Sequence, residues 1–286
     1  MTRRRHRALR TVALVALAGC VAERAALPVD CPASPFRSDP PLVIAGGEGL
    51  GPANTILAMR RSMRAGADAL EVDLRMSSDG VIVALHDREL STTTDGRGPV
   101  DDHSWAELQR LDAAAHWSGD PIEEAVAIPS LVEILETFPD APFSLEIKQT
   151  TPSMADELCE VLIETESFDR IYLSSDVDAA LCAARDVCPE SLVITTTYGD
   201  LDEQRAARDR GEPWCAASPI GQPPYREDRF DAEWFADAHA HGMAIFMWTV
   251  DDPEVLRELA EAGVDGVYTR RPDIARAVFD EFAADS

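Results

Sequence analysis

The chain has 286 residues, of which 45% are hydrophobic, and this is enough for one large domain with a buried core. Its formal net charge of −26 at pH 7 gives a surface that repels nucleic acid and anionic lipid headgroups, so no nucleic-acid partner is expected. No apolar run reaches the roughly 18 residues that a membrane-spanning helix needs.

The N-terminus has the pattern of a targeting segment. Five arginines precede a short apolar stretch at 11–18, which ends in the motif Leu-Ala-Gly-Cys20. This motif resembles the lipobox of bacterial lipoproteins, which implies removal of residues 1–19 and acylation of Cys20. The protein would then be lipid-anchored in the cell envelope, with its domain outside the cytoplasm. The alternative is an ordinary secretory signal with a chance cysteine. Residues 20–41 are proline-rich and are predicted to form a tether.

Five cysteines remain after Cys20. An odd number outside the cytoplasm leaves one thiol unpaired or all five free. Cys182 and Cys188 flank the end of a predicted helix and form the most plausible local pair. No spacing of cysteine and histidine is typical of a zinc site.

The chain then begins a regular alternation. A predicted strand at 41–45 leads into a glycine-rich loop, after which Asn54 and Thr55 cap a helix. The next strand carries Glu71 and Asp73 on one face, about 6.5–7 Å apart along the strand. Two carboxylates in an apolar strand are costly to bury, and a hard cation bound by oxygen ligands is the usual solution. A turn at Asp79-Gly80 leads to a strand that ends in His86.

The remaining pattern predicts a barrel. Residues 88–127 are irregular and are interpreted as an insertion, with Ser104 and Glu107 spaced as a helix-capping box. From Ile128 onward, helices and strands alternate, and eight strands in all are expected. Their markers are Leu42, Leu70, Leu145, Ile171, Val193, Trp214, Ile245 and Val267. This alternation predicts an α/β fold, specifically a (β/α)8 TIM barrel over residues 42–286, with an open doubly wound sheet as the alternative.

In a (β/α)8 barrel the chemistry lies at the carboxyl ends of the strands. Glu146 and Lys148 repeat the i, i+2 spacing on the next long strand, so Glu146 is expected beside the first carboxylate pair. Three carboxylates predict a divalent cation, Mg²⁺ or Ca²⁺. Lys148, the only lysine in the chain, is predicted to balance their charge or to hold a phosphate oxygen. Trp248, at the end of the seventh strand, is predicted to bind substrate.

Several motifs occur together in a specific order. They are Asn54-Thr55, Gly66-Ala67-Asp68, Glu71-x-Asp73, Asp79-Gly80, His86-Asp87, Ile128-Pro129-Ser130-Leu131, Glu146-x-Lys148, Trp248-Thr249, Gly263-Val264-Asp265-Gly266 and Pro272-Asp273. In this order they resemble the glycerophosphodiester phosphodiesterase family, from about Leu42 to the C-terminus.

The resemblance implies hydrolysis of a small-molecule phosphodiester to an alcohol and a phosphomonoester such as glycerol 3-phosphate. It implies a divalent cation held by Glu71, Asp73 and Glu146, and it matches His86 to the second of two acid–base histidines. The family fold is a barrel with a small insertion after the second strand, which is where residues 88–127 fall.

The chain departs from the family pattern after the first strand. The family has His-Arg-Gly there and Glu-Asn-Thr a few residues later, whereas this chain has Gly46-Gly47-Glu48 and Ala53-Asn54-Thr55. One interpretation is a phosphodiesterase with altered acid–base chemistry, in which Glu48, or His103 or His116 from the insertion, substitutes for the missing histidine. The second is a non-catalytic lipoprotein that binds a phosphodiester or headgroup. The third, a phospholipase D-like enzyme acting on sphingolipids, is disfavoured because that group also uses a histidine at this place.

Overall fold

The computed structural model describes residues 31–46, 48–123, 125–189, 192–226 and 230–285. The predicted signal peptide, the predicted lipidation at Cys20 and the first part of the predicted tether lie outside these residues. Among the helices of the described part of the chain, none combines the length and the apolar character needed to cross a bilayer.

Strands and helices alternate along the described chain. The strands are β1 (Leu42–Ala45), β2 (Ala69–Met76), β3 (Ile82–Ala84), β4 (Phe143–Ile147), β5 (Ile171–Ser174), β6 (Val193–Ile194), β7 (Ile220–Gly221), β8 (Ala244–Met247) and β9 (Gly266–Tyr268). The helices are α1 (Ile56–Arg64), α2 (Trp105–Leu108), α3 (Leu131–Thr137), α4 (Ala155–Glu164), α5 (Asp178–Val187), α6 (Tyr198–Asp209), α7 (Ala232–Ala240), α8 (Pro253–Ala262) and α9 (Pro272–Asp285).

Eight parallel strands form a nearly closed barrel. Their order around the sheet is β6-β5-β4-β2-β1-β9-β8-β7, and β3 adds to β2 as an antiparallel hairpin partner. The two ends of this sheet approach each other, since the backbone N–H of Thr196, just after β6, donates to the carbonyl of Ile220 in β7 (2.9 Å). The predicted (β/α)8 barrel is therefore confirmed.

The alternation of side chains along β2 separates the core from the site. Leu70, Val72 and Leu74 are buried in the layer between the strands and the helices α3 and α4. Glu71 and Asp73 take the intervening positions and therefore point to the other face, toward the barrel interior. The predicted turn after β2 also forms, and Gly80 adopts φ +86°, a conformation that favours glycine.

The insertion at 88–127 builds a small core of its own. Leu90, Val100 and Leu108 are fully buried there with Val83 from β3. The predicted capping box opens α2, with the Glu107 carboxylate accepting from the backbone N–H of Ser104 (2.9 Å). The insertion thus packs against β3, the second strand of the β2–β3 hairpin.

Two local predictions are wrong. The strand expected around Trp214 is instead an irregular segment, in which the Trp214 ring stacks on His241 with ring centroids 3.7 Å apart, and the strand lies later, at β7. Cys188 pairs with Cys159 of α4 rather than with Cys182, because α4 and α5 pack side by side and bring Cys159 to the end of α5. Contacts between elements decided both outcomes.

The segment 31–41 packs against the barrel. Cys31 forms a disulfide with Cys215, and the Ser34 hydroxyl donates to the carbonyl of Pro219 (2.7 Å). The Arg37 guanidinium donates from Nε to the buried carboxylate of Asp265, with an Nε–Oδ1 distance of 2.6 Å. This end of the predicted tether is therefore fixed to the barrel at three points.

Candidate active site

Three carboxylates meet at the carboxyl ends of β2 and β4. These strands pair in a register that sets Asp73 beside Glu146, and Glu71 lies two residues before Asp73 on the same face. Glu71, Asp73 and Glu146 each offer an oxygen, and these oxygens lie within 4.8 Å of one another. The structure thus brings together all three predicted metal ligands, in an arrangement that could hold a metal ion.

Lys148 extends from the end of β4 into this cluster. Its Nζ lies 2.6 Å from Oε1 of Glu146 and 3.3 Å from Oδ1 of Asp73. Burial opposes the charge on Lys148, but the two carboxylates outweigh burial and raise its pKa. Lys148 is therefore a charged partner of the cluster.

One ammonium group does not balance three carboxylates. Burial, reinforced by repulsion from Asp73 and Glu146, raises the pKa of Glu71 well above its ordinary value. Burial also raises the pKa of Glu146. A cluster of partly buried carboxylates with this excess of negative charge fits a hard divalent cation, which prefers oxygen ligands.

Asn54 holds Asp73 in place, and this role was not predicted. Its Nδ2 donates to Oδ2 of Asp73 (2.7 Å), and its Oδ1 accepts from the backbone N–H of Asp73 (2.9 Å). Asn54 is buried and adopts the left-handed backbone conformation, with φ 58°. The sequence signal was an asparagine before a helix, which indicates a cap, whereas the capping oxygen comes from Thr55.

His86 stands at the edge of the site. Its side chain is 58% exposed, and Nδ1 lies 3.4 Å from Oδ1 of Asp87. The backbone carbonyl of His86 accepts hydrogen bonds from Arg75 of β2, at 2.9 Å from Nε and 2.6 Å from Nη2. The backbone at His86 is thereby tied to β2, while the imidazole remains accessible to a ligand.

A cavity of about 810 Å³ joins these residues at the mouth of the barrel. Glu48, which is exposed, and Trp248, whose indole N–H donates to the carbonyl of Gln222 (2.9 Å), both line it. His103 and His116 do not line it, and the His103 ring is bound to the carbonyl of Arg97 inside the insertion. Of the predicted substitutes for a first-strand histidine, only Glu48 reaches the cavity.

Gly46 leaves room for the Glu71 carboxylate. A Cβ atom built on Gly46 would overlap Oε2 of Glu71 and would lie 3.3 Å from the Glu71 backbone carbonyl oxygen. The end of β1 therefore bears no side chain at this point, and the carboxylate of the neighbouring strand lies against it.

Below the carboxylates, the barrel interior contains a buried hydroxyl cluster that was not predicted. The Tyr268 hydroxyl lies 2.9 Å from both the Ser144 hydroxyl and the Tyr172 hydroxyl, and it also accepts from Nε2 of Gln222. Burial raises the pKa of Tyr172 and of Tyr268. These neutral hydroxyls form a polar floor under the cavity, which Tyr268 lines.

Comparison with known proteins decides the family. The model of the glycerophosphoryl diester phosphodiesterase family matches residues 46–274, which is most of the chain. The chain belongs to this family. Its members are phosphoric diester hydrolases, which confirms the predicted enzyme class.

Curated relatives match most of this chain. A glycerophosphodiester phosphodiesterase of Caldanaerobacter subterraneus subsp. tengcongensis is 30% identical over 229 residues, covering 78% of this chain and 90% of the relative. A glycerophosphodiester phosphodiesterase of Bacillus subtilis is 26% identical over 249 residues, covering 82% of this chain and 84% of the relative.

Solved structures of the family share the fold. A phosphodiesterase of Oleispira antarctica, in complex with the product sn-glycerol-3-phosphate, superposes with a TM-score of 0.69 at 25% identity, covering 84% of this chain and 97% of that one. A protein of Silicibacter pomeroyi gives a TM-score of 0.72 at 22% identity, covering 86% of this chain and 96% of that one. At this identity, the similarity to the Silicibacter pomeroyi protein shows a shared fold and nothing about activity.

Proposed function

We propose that the protein is a metal-dependent hydrolase of glycerophosphodiesters or related phosphodiesters, with altered or weakened acid–base chemistry. The observation that carries this proposal is the Glu71, Asp73 and Glu146 cluster, with Lys148 attached, at the mouth of an 810 Å³ cavity. Family membership supplies the reaction class.

The three carboxylates would hold the cation, and Mg²⁺ and Ca²⁺ both prefer such oxygen ligands. When bound, a divalent cation supplies Lewis-acid polarisation of the phosphoryl group. Asn54 keeps the Asp73 carboxylate oriented through its two hydrogen bonds. Lys148 neutralises part of the cluster and presents ammonium N–H donors beside it, where a phosphate oxygen would bind.

His86 is the proposed acid–base residue, because its accessible imidazole can transfer a proton to or from a substrate oxygen in the cavity. Glu48 is the proposed second group, in the loop after β1, where the resemblance implies a histidine and this chain has Gly46-Gly47-Glu48. An exposed carboxylate is a weak substitute for an imidazole near neutral pH, so slow turnover is expected.

The substrate is proposed to be a small diester that leaves glycerol 3-phosphate or a similar phosphomonoester as product. The Oleispira antarctica relative, which binds sn-glycerol-3-phosphate, supports this substrate class. Trp248 is 39% exposed on the cavity wall and offers an aromatic surface to the alcohol portion of the diester.

The proposal is tested by following release of glycerol 3-phosphate from glycerophosphocholine, with Mg²⁺, with Ca²⁺ and with a chelator. Activity is expected only with metal, and His86→Ala is expected to lower kcat by about 10²–10⁴-fold. His103→Ala is the matched control, since His103 lies in the insertion away from the cavity. Full activity of His86→Ala would remove the role assigned to His86.

A second candidate function is phosphodiester or headgroup binding without turnover. The observation that favours it is the bare end of β1, where the Glu71 carboxylate lies against Gly46 and one imidazole alone, His86, lines the described part of the cavity. Metal-dependent binding of glycerol 3-phosphate by calorimetry, without turnover of any diester in a panel, would establish this function in place of hydrolysis.

Lipid anchoring at Cys20 remains a separate proposal, supported by the sequence motif alone. Cys20→Ala is expected to release the protein from the membrane fraction into the soluble envelope fraction. Unchanged membrane retention of this variant would contradict anchoring through Cys20.

A further inference from the structure

Arg270 lies on the side of the cavity that β1 and β9 form. The two strands pair with Ile44 opposite Tyr268, so Arg270, two residues after Tyr268, corresponds to Gly46 at the end of β1. The loop that follows β1 contacts Arg270 closely, since a Cβ on Gly49 would lie 2.5 Å from the Arg270 carbonyl oxygen. Gly49 has φ +93°, which allows this close approach.

Asp251 fixes the Arg270 side chain by one edge. Oδ2 of Asp251 accepts from Nε of Arg270 (2.7 Å) and lies 2.5 Å from Nη2. Oδ1 of the same carboxylate accepts from the Arg270 backbone N–H (2.8 Å) and from the Thr269 hydroxyl (3.0 Å). A guanidinium has five N–H donors, and these contacts engage the Nε and Nη2 edge, which leaves the donors on Nη1 for another acceptor.

Among the described residues, three other cations line the cavity, of which Arg226 lies after β7, and the other two, Lys148 and Arg205, are paired with carboxylates. The Lys148 ammonium contacts Glu146 and Asp73 inside the carboxylate cluster. Arg205 pairs with Asp202 on the surface of α6, with 74% of its side chain exposed. Arg270 is 54% exposed, lines the cavity and is oriented by a carboxylate that does not belong to the metal cluster.

Glu48 directly precedes Gly49, the glycine that lies against Arg270. The hydrogen bond and charge of Asp251 raise the pKa of Arg270, and the charge of Glu48 contributes in the same direction. Glu48 is the charged residue that the loop after β1 contributes to the cavity lining, and residues 46–53 contain no basic residue. Arg270 is therefore the cation available to a phosphate on this side of the site.

We propose that Arg270 is a phosphate-binding residue, which donates from its free edge to a non-bridging phosphate oxygen on the side opposite Lys148. The inference rests on the proposed function, because it assumes that the phosphate of a diester or its product lies over the carboxylate cluster. Asp251 acts as the positioning residue for this arginine. Paired cations on two sides of a phosphate would also orient the diester toward His86.

Arg271 provides a matched control for the test. It is the next residue in the chain, it is 45% exposed, and it is bound by Nε and Nη2 to one carboxylate, that of Asp273. It does not line the cavity. Arg270→Met and Arg271→Met therefore remove the same side chain from similarly exposed positions, each paired with one carboxylate, and of the two only Arg270 lines the cavity.

The experiment measures the Kd of glycerol 3-phosphate by calorimetry with metal present, together with KM and kcat for glycerophosphocholine. Arg270→Met is expected to weaken the Kd by about 10- to 100-fold, the range of a charge-assisted hydrogen bond, and Arg270→Lys by less. Arg271→Met is expected to stay within about 2-fold of the wild type. Metal affinity is expected to remain unchanged in Arg270→Met, and this measurement would show that the carboxylate cluster of Glu71, Asp73 and Glu146 is intact in the variant.

The outcomes separate the two proposals. If the wild type hydrolyses the diester, and Arg270→Met and Arg271→Met both bind glycerol 3-phosphate with the wild-type Kd, the proposed role of Arg270 is contradicted while the proposed function stands. If the wild type binds the product without turnover, the Kd comparison still decides the role of Arg270, while hydrolysis fails. If the wild type neither binds nor hydrolyses, both proposals are overturned. Should Arg270→Met not fold, Arg270→Lys and Arg270→Gln give the same comparison.

Discussion

A single asparagine controls the geometry of the candidate metal site. The Asn54 side chain accepts a hydrogen bond from the backbone N–H of the buried Asp73 and donates one to its carboxylate. It also tolerates the left-handed backbone, φ 58°, better than most residues because its short polar side chain favours that conformation. The carboxylate that links Glu71, Glu146 and Lys148 is thus oriented by a residue outside the strands.

Asn54→Ala is expected to lower the free energy of unfolding by about 1–3 kcal/mol, because it leaves a buried N–H without its acceptor. It is also expected to weaken metal binding, because Asp73 loses the group that orients it. Urea denaturation and calorimetry with Ca²⁺ or Mg²⁺ measure the two effects. Thr55→Ala removes the helix cap and the hydrogen bond from the Thr55 hydroxyl to the carbonyl of Pro52, without touching Asp73, so it is expected to cost about 1–2 kcal/mol and to leave metal affinity unchanged. Equal metal affinities of all three proteins would contradict the role of Asn54.

The raised pKa values of Glu71 and Glu146 predict how pH and metal act together. A carboxyl whose pKa is higher in the folded than in the unfolded protein makes the metal-free fold less stable as pH rises between those two values, because the unfolded chain loses its proton first. A bound cation favours the deprotonated carboxylates and reverses this loss.

Added Ca²⁺ or Mg²⁺ is therefore expected to raise the melting temperature more at about pH 8 than at about pH 5, where protons compete for the same oxygens. Thermal unfolding followed by circular dichroism, with and without metal, measures the difference. In Glu71→Gln the pH dependence of the metal effect is expected to shrink, since the most strongly perturbed carboxyl is gone. A metal effect of equal size at both pH values would contradict this linkage.

At the scale of elements, a disulfide joins the segment before β1 to the segment before β7. The Cys31–Cys215 bond closes a loop with a sequence separation of 184 residues, and Ser34 and Arg37 add polar contacts from the same segment to the barrel. The N-terminal approach to the domain is thereby held against the barrel, rather than only tethered to it.

Replacing both cysteines, in Cys31→Ser with Cys215→Ser, is expected to lower the free energy of unfolding by about 2–5 kcal/mol, because the unfolded chain regains the freedom that a long closed loop removes. Ser34→Ala, which removes the hydrogen bond to Pro219 and a local one from the Phe36 backbone N–H, is expected to cost only about 1 kcal/mol. Urea unfolding under non-reducing conditions compares the three proteins. A loss in the double variant no larger than that in Ser34→Ala would show that the disulfide contributes little.

Local rules were sufficient for the elements that carry the carboxylates. The i, i+2 spacing of Glu71 and Asp73 fixes their shared face, and a parallel neighbour carrying Glu146 brings the third carboxylate within reach. The capping box at Ser104 likewise depends on residues three apart, and it formed.

Features that depend on distant contacts were not predictable in the same way. Asn54 reaches Asp73 across 19 residues, and nothing in its local pattern distinguishes that contact from a helix cap. Cys188 forms its disulfide with Cys159 because the helices α4 and α5 pack together. The segment around Trp214 does not join the sheet, and the Trp214 ring stacks on His241. In each case an interaction between elements overrode a plausible local pattern.

At the scale of the whole molecule, the charge of the protein opposes the charge of the proposed ligand. The net charge is −26, and removal of residues 1–19 would take away five arginines and no acidic residue. A phosphate approaching the cavity therefore meets long-range repulsion, which the cations at the mouth, Lys148 and Arg270 among them, offset only at short range. Salt screens the long-range part far more than the short-range contacts.

The affinity for a net anionic ligand such as glycerol 3-phosphate is therefore expected to increase, or at least not to fall, as ionic strength rises from about 0.01 M to about 0.15 M, because the Debye length shrinks from about 30 Å to about 8 Å. Glycerophosphocholine, whose phosphate is balanced by its quaternary ammonium, is the matched ligand and is expected to show little salt dependence. Calorimetric Kd values at fixed metal concentration measure both. A steep loss of glycerol 3-phosphate affinity with salt would mean that local cations outweigh the acidic surface even at long range, and the site would then act as an anion-attracting funnel despite the charge of the chain.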